Sequence, residues 1–142
     1  MNTFTLAECL AAVQVYCEAH KKNLAIDFMT DHGIKVIFAG NLVQFDYNQI
    51  AVKWSEPYGY VCRGLILNPT DWSVVSMPLD KMFNYGEGYA AAVNIAECIA
   101  VEKLDGSMVQ RYYNPFTKQF EVTTRGNPFV NLAAHTTHNP AL

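Results

Sequence analysis

Apolar positions along the chain follow a helical period first and a strand period afterwards. Leu6, Leu10, Val13 and Cys17 recur at three- and four-residue spacing, which predicts one amphipathic helix over residues 5–21. Thr5 is placed to cap its start, and Glu8, three residues on, completes a capping box. Lys21 and Lys22 suit the negative end of the helix dipole. Further on, β-type runs dominate. Ile34–Phe38 and Leu42–Tyr47 flank Gly40-Asn41 and predict a hairpin, with His32-Gly33 as the breaker before it. Residues 46–57 are polar and irregular, the pattern of a surface loop. Tyr60–Leu67 and Trp72–Met77 flank a turn at Asn68-Pro69-Thr70-Asp71 and predict a second strand pair. Cys98–Lys103 and Met108–Tyr113 flank Asp105-Gly106 and predict another hairpin. Residues 89–96, small and apolar, suit a helical turn or more. Gln119–Thr124 alternates as a strand, and Val130, Leu132 and Ala133 suggest a helix starting at Pro128. The expected class is α+β: antiparallel sheet with a leading helix, and no repeat or linker.

Composition narrows this picture. A chain of 142 residues that is 51% hydrophobic has length and apolar content for one domain with a core. No apolar run approaches the roughly 20 residues of a membrane span, and the N-terminus lacks a signal-peptide pattern, so a cytosolic location is expected, the host cytoplasm for a viral protein. Cys9, Cys17, Cys62 and Cys98 form no CxxC pair and sit in apolar stretches, which predicts buried free thiols. His135 and His138 are three apart with no third ligand in view, so no metal site is assigned. The net charge of −3 argues against a protein that coats nucleic acid generally. Yet seven of the ten Lys and Arg residues lie from Lys53 onward, leaving room for a local basic site.

The chemistry centres on Glu102-Lys103-Leu104-Asp105-Gly106-Ser107. An Asp-Gly between apolar runs is a common hairpin signal, and on that reading Lys103 is a solvated residue beside a turn. On the other reading, Lys103 is a nucleophile at the end of a strand. Arg63 interrupts an apolar run, so it needs an anion, a partner or a route to water. The segment Pro78–Gly88 mixes aromatics, Lys81 and two glycines. It is either an ordered connector with Phe83 as a core plug, or a pocket wall with Phe83 against a base and Lys81 against a phosphate.

Four stretches then occur in one order: Cys62-Arg63-Gly64, Asp80-Lys81-Met82-Phe83-Asn84, Glu102-Lys103-Leu104-Asp105-Gly106-Ser107 and Thr124-Arg125-Gly126. Together they resemble the N-terminal adenylating part of the phage-type RNA ligase 1 family, within the covalent nucleotidyltransferases. Lys103, Asp105 and Gly106 match the superfamily's Lys-x-Asp-Gly motif, and Ser107 matches the RNA ligase 1 form. The Arg-Gly strand and the Lys-x-Phe-Asn segment favour RNA ligases over DNA ligases and capping enzymes. The resemblance covers roughly residues 5–135.

It implies an ATP-grasp-like nucleotidyltransferase domain of which residues 1–142 are the N-terminal portion. The family's later motifs are not in this chain, and a second chain is one source of them. It implies ATP and Mg2+ as cofactors and RNA ends, tRNA among them, as partners. Lys103 is the implied nucleophile, and Arg63, Lys81, Phe83, Glu102, Asp105, Gly106 and Arg125 are the implied nucleotide-binding residues. Arg125 stands where the family often has lysine. An amine must be neutral to attack; with a free pKa of ~10.4, neutralisation at pH 7 costs about 4–5 kcal/mol, which nearby cations and metal reduce. Arg63, Lys81 and Arg125 are the candidate cations. A non-catalytic nucleotide- or RNA-binding remnant is the alternative from another function class.

Overall fold

The computed structural model describes residues 4–130. Two helices come first: α1 (Leu6–Ala19) and α2 (Leu24–His32). Thr5 caps α1 as expected: its Oγ1 accepts from the Glu8 amide at 3.2 Å, and the Glu8 carboxylate accepts from the Thr5 amide at 2.7 Å. The expected single helix ends early, and α2 is an addition. Its Leu24 and Phe28 sit four apart on one buried face. It stops at Gly33, where φ is +67° and a Cβ would lie 2.5 Å from the Ala51 carbonyl carbon. Only glycine fits that close, left-handed exit.

Strands β1 (Ile34–Ala39), β2 (Leu42–Tyr47), β3 (Arg63–Leu67) and β4 (Val74–Ser76) form an antiparallel sheet in the order β1-β2-β3-β4. Tyr58–Tyr60 is a 3-10 turn, so the expected strand from Tyr60 begins only at Arg63. The strand expected over Trp72–Met77 shrinks to three residues, with Trp72 at a positive φ of 61°. A separate two-stranded sheet pairs β5 (Gln110–Asn114) with β6 (Gln119–Thr123).

These elements make three layers. Val43, Phe45 and Tyr47 face the helices, packing with Cys9, Val13, Phe28 and Leu65. Leu42 and Ile66 point the other way and pack against Tyr112 of β5. Strand β2 is therefore buried on both faces, which explains its nearly continuous apolar run. Polar contacts fasten the hairpin. The Gln110 amide donates to Ser76 Oγ and, at 2.7 Å, to the Met77 carbonyl. The fully buried Gln44 amide donates to Thr123 Oγ1 at 2.6 Å and the Thr124 carbonyl at 2.8 Å.

The hairpin expected between Cys98–Lys103 and Met108–Tyr113 does not form. Apart from a 3-10 turn at Ile95–Glu97, residues 89–109 have no regular structure, and the second run pairs instead with β6 across the Asn114–Lys118 turn. Apolar composition creates strand potential, but a strand exists only where another supplies its ladder. Cys9, Cys17 and Cys62 are buried as expected, whereas Cys98 is exposed. The helix expected from Pro128 falls mostly outside the described residues. Among the described residues, no helix is long and apolar enough to cross a membrane.

Candidate active site

The site is organised by a bulge in β3. Phe45 opposes Leu65 and Asp46 opposes Arg63, which leaves Gly64 unpaired with φ at +97°. A Cβ at Gly64 would lie 3.3 Å from Arg125 Cα and 3.4 Å from the Thr124 carbonyl. Glycine thus lets the Thr124-Arg125 backbone settle on β3, so two of the four motif stretches meet directly. Once there, Arg125 is held by Asp46, with Nε and Nη2 at 3.0 and 2.8 Å from Oδ1. Its guanidinium also covers the Tyr47 ring at 4.4 Å from the centroid.

The neighbouring Arg63 has a different task. Its Nη1 donates to the Asp80 carbonyl at 2.7 Å and more weakly to that of Leu79. The Lys81 amide donates to the Tyr60 carbonyl at 2.9 Å. These bonds pin the second motif stretch beside the first. Phe83 then packs edge-on against Trp54 at 5.1 Å and Tyr60 at 5.9 Å. Tyr60 donates its hydroxyl to the Trp54 carbonyl at 2.6 Å, and burial raises its phenol pKa. Phe83 is thus both the core plug and the pocket wall that the sequence left as alternatives.

The result is an open cleft of about 340 Å³ lined by Tyr47, Trp54, Lys81, Phe83, Glu87 and Tyr89. Lys81 Nζ stands 4.9 Å from the Phe83 ring centroid and 5.7 Å from that of Trp54. Four aromatic rings, the Lys81 ammonium and the Glu87 carboxylate share the lining. A lining of this kind offers stacking surface to a flat aromatic group and one cation to an anion attached to it. A second hollow of about 370 Å³ adjoins it and shares Lys81, Phe83 and Tyr89.

Lys103 lies elsewhere. Residues 99–107 are all exposed, and among the described residues no hydrogen bond, ion pair or ring contact ties them to the cleft. Glu102, Asp105 and Gly106 share this segment, and a Cβ at Gly106 would meet open space. The structure therefore gathers Arg63, Lys81, Phe83 and Arg125 and leaves Glu102, Lys103, Asp105 and Gly106 apart. Sequence reasoning missed Asp46, Tyr47, Trp54 and Gln44. Three of them belong to β2, where they read as ordinary strand residues, and the only hint from Trp54 was a large aromatic in a polar loop.

Two viral RNA ligases resemble this chain. An RNA ligase of Rhodothermus phage RM378 is 33% identical over 115 residues, covering 64% of this chain and 26% of that protein. A protein of Autographa californica nuclear polyhedrosis virus, assigned as a bifunctional polynucleotide kinase/RNA ligase, is 30% identical over 118 residues, covering 76% of this chain and 16% of that protein. The likeness supports kinship with RNA ligases. The chain spans about a quarter and about a sixth of these relatives' lengths. No family profile and no solved structure matches it.

The described residues do not suit Mg2+ on their own. No three His, Cys, Asp or Glu side chains gather among them, and Glu87, the carboxylate on the cleft, already accepts from the Asn84 amide and side chain at 2.9 Å.

Proposed function

We propose that this chain is the nucleotide-binding front portion of an RNA ligase and that it takes AMP onto Lys103. The observation behind this reading is one aromatic cleft lined by Lys81 and Phe83, with Arg63 holding the Asp80 carbonyl just before them and Arg125 stacked on the Tyr47 that forms part of the lining. The kinship with RNA ligases supplies the reaction.

In this reading ATP is the substrate, with its adenine against the ring cluster of Phe83, Trp54 and Tyr47. Lys81 and Arg125 face its phosphates and offset the charge that builds there during transfer. Arg63 is a positioning residue: it holds the Asp80 carbonyl and hence the placement of Lys81 and Phe83. The Lys103 amine, once neutral, forms a P–N bond to the α-phosphorus as the bond to the bridging oxygen breaks, and pyrophosphate leaves. An oxygen of an RNA 5′-phosphate next attacks the same phosphorus, breaking the P–N bond and returning the electron pair to Lys103. A 3′-hydroxyl finally attacks the activated end, joins the strands and releases AMP. Asp105 either shapes the turn beside Lys103 or contacts the sugar, and Glu102 flanks the nucleophile.

This requires the exposed Lys103 segment to move to the cleft when nucleotide binds. The position of Lys103 outside the cleft also favours a second reading, a nucleotide-binding module without turnover, either a remnant or one piece of a split ligase. Incubation with ATP labelled at the α-phosphate, followed by denaturing electrophoresis, separates the two. Label on the wild type and none on Lys103→Ala supports adenylation. Reversible ATP binding without label, in folded protein, supports the second reading.

A further inference from the structure

Among the described residues, the β5–β6 hairpin has an outer face that neither the fold nor the cleft uses. Opposed residues of an antiparallel pair share a side, so Tyr112 with Glu121 and Gln110 with Thr123 face inward. Arg111 with Val122 and Tyr113 with Phe120 face outward. Tyr113 is 49% exposed and Phe120 60% exposed, which is costly for two aromatics with no structural task. Their rings meet edge-on at 5.5 Å, and the Arg111 guanidinium stacks over Phe120 at 3.9 Å from its centroid. None of the four outward positions carries a carboxylate, because Glu121 is turned inward and accepts from Tyr112 and Asn114. Lys118 adds a second cation at the exposed hairpin turn.

We infer that this face is a platform for single-stranded RNA, with bases stacking on Phe120 and Tyr113 and with Arg111 and Lys118 against the phosphates. Choosing RNA over another polyanion rests on the RNA-ligase reading. The physical fit is independent of that choice. Aromatics on a sheet surface offer every base a π face, and a guanidinium plane beside them both stacks and neutralises. Charge complementarity favours a nucleic acid over an apolar protein surface, since burying Arg111 against apolar atoms would leave its charge unpaired. The platform lies apart from the ATP cleft, so it would hold the strand to be joined rather than the nucleotide.

The test is fluorescence anisotropy of a fluorescein-labelled oligouridylate with the wild-type chain, Arg111→Ala, Phe120→Ala and the double variant. The same preparations are scored for labelling by ATP. Because both side chains are exposed, folding should survive, and thermal melts check this. The inference expects each single variant to bind RNA about tenfold more weakly, the double variant more so, with adenylate labelling unchanged. Equal RNA affinity in all four proteins overturns it, as does labelling by ATP with no RNA binding in the wild type. Loss of RNA affinity in the variants while no protein is labelled would keep the platform and remove the ligase reading. If the variants keep RNA affinity but melt lower or change oligomeric state, the face packs against protein, and the inference fails.

Discussion

The front layers and the Lys103 segment follow opposite rules. In the first, α1, α2 and β1–β4 bury residues so fully that Phe28, Phe45, Leu65 and Gln44 have no exposed surface. In the second, Ile99, Val101 and Leu104 are at least 78% exposed, and among the described residues no side chain anchors Lys103. The first region builds a cleft by locking backbone positions, and the second carries Lys103 on an exposed segment. Under the proposed function, a fixed pocket and a separate, exposed lysine suit a group that meets ATP and then passes AMP to a different acceptor. The difference predicts that changes in the scaffold cost stability and activity together, whereas changes in the segment cost activity alone.

The strongest test of that contrast is Phe28→Ala. Phe28 contacts Tyr16 at 4.1 Å, Tyr58 at 5.3 Å and Phe45 at 6.0 Å, so its loss should cost about 3–5 kcal/mol in urea unfolding. A smaller loss, about 1–3 kcal/mol, is expected for Gly64→Ala from its positive φ and the nearby Arg125 backbone. That variant should also bind ATP more weakly, because Arg125 is displaced. Gln44→Leu removes the buried amide donor to Thr123 Oγ1 and one of the two donors to the Thr124 carbonyl, and should cost about 1–3 kcal/mol, read in the same experiment.

The buried thiols give a pH signature. Burial pushes Cys9 up to about 11 and Cys17 up to about 12, and it raises Cys62 as well. In the unfolded chain these thiols ionise nearer their ordinary value of 9.0, while the folded chain keeps their protons. Stability should hold below about pH 9 and fall as the pH rises toward 12, checked by urea midpoints across that range. A thiol reagent at pH 8 should modify Cys98 alone in the native protein. At the small end, Lys103→Ala should shift stability by less than about 0.5 kcal/mol while removing labelling by ATP.

How far the sequence predicts this structure differs by region. The α1 capping box, the β1–β2 hairpin and β6 were legible because their signals are local: a cap three residues long, a Gly-Asn turn, and alternation. The second helix was not, since nine residues with two buried positions give little periodicity, and Gly33 read only as a breaker. The Asp105-Gly106 hairpin failed for a related reason. Its turn signal is local, but its first strand needs a partner, and Gln110–Asn114 pairs with Gln119–Thr123 instead. At the site, Arg63, Lys81, Phe83 and Arg125 were visible as motif residues, while their meeting depends on a bulge at Gly64 and on Asp46 and Gln44, 79 residues or more from Arg125 and Thr124. Contacts at that separation leave no mark in local spacing.

In the proposed function the cleft delivers ATP to Lys103. The most direct measurement is peptide mass spectrometry after incubation with ATP, on wild type, Phe83→Ala and Arg125→Ala. One AMP is expected on the peptide containing Lys103 in the wild type, with a yield at least tenfold lower in both variants while they remain folded. AMP on another residue, or full modification of Lys103 in both cleft variants, would contradict it.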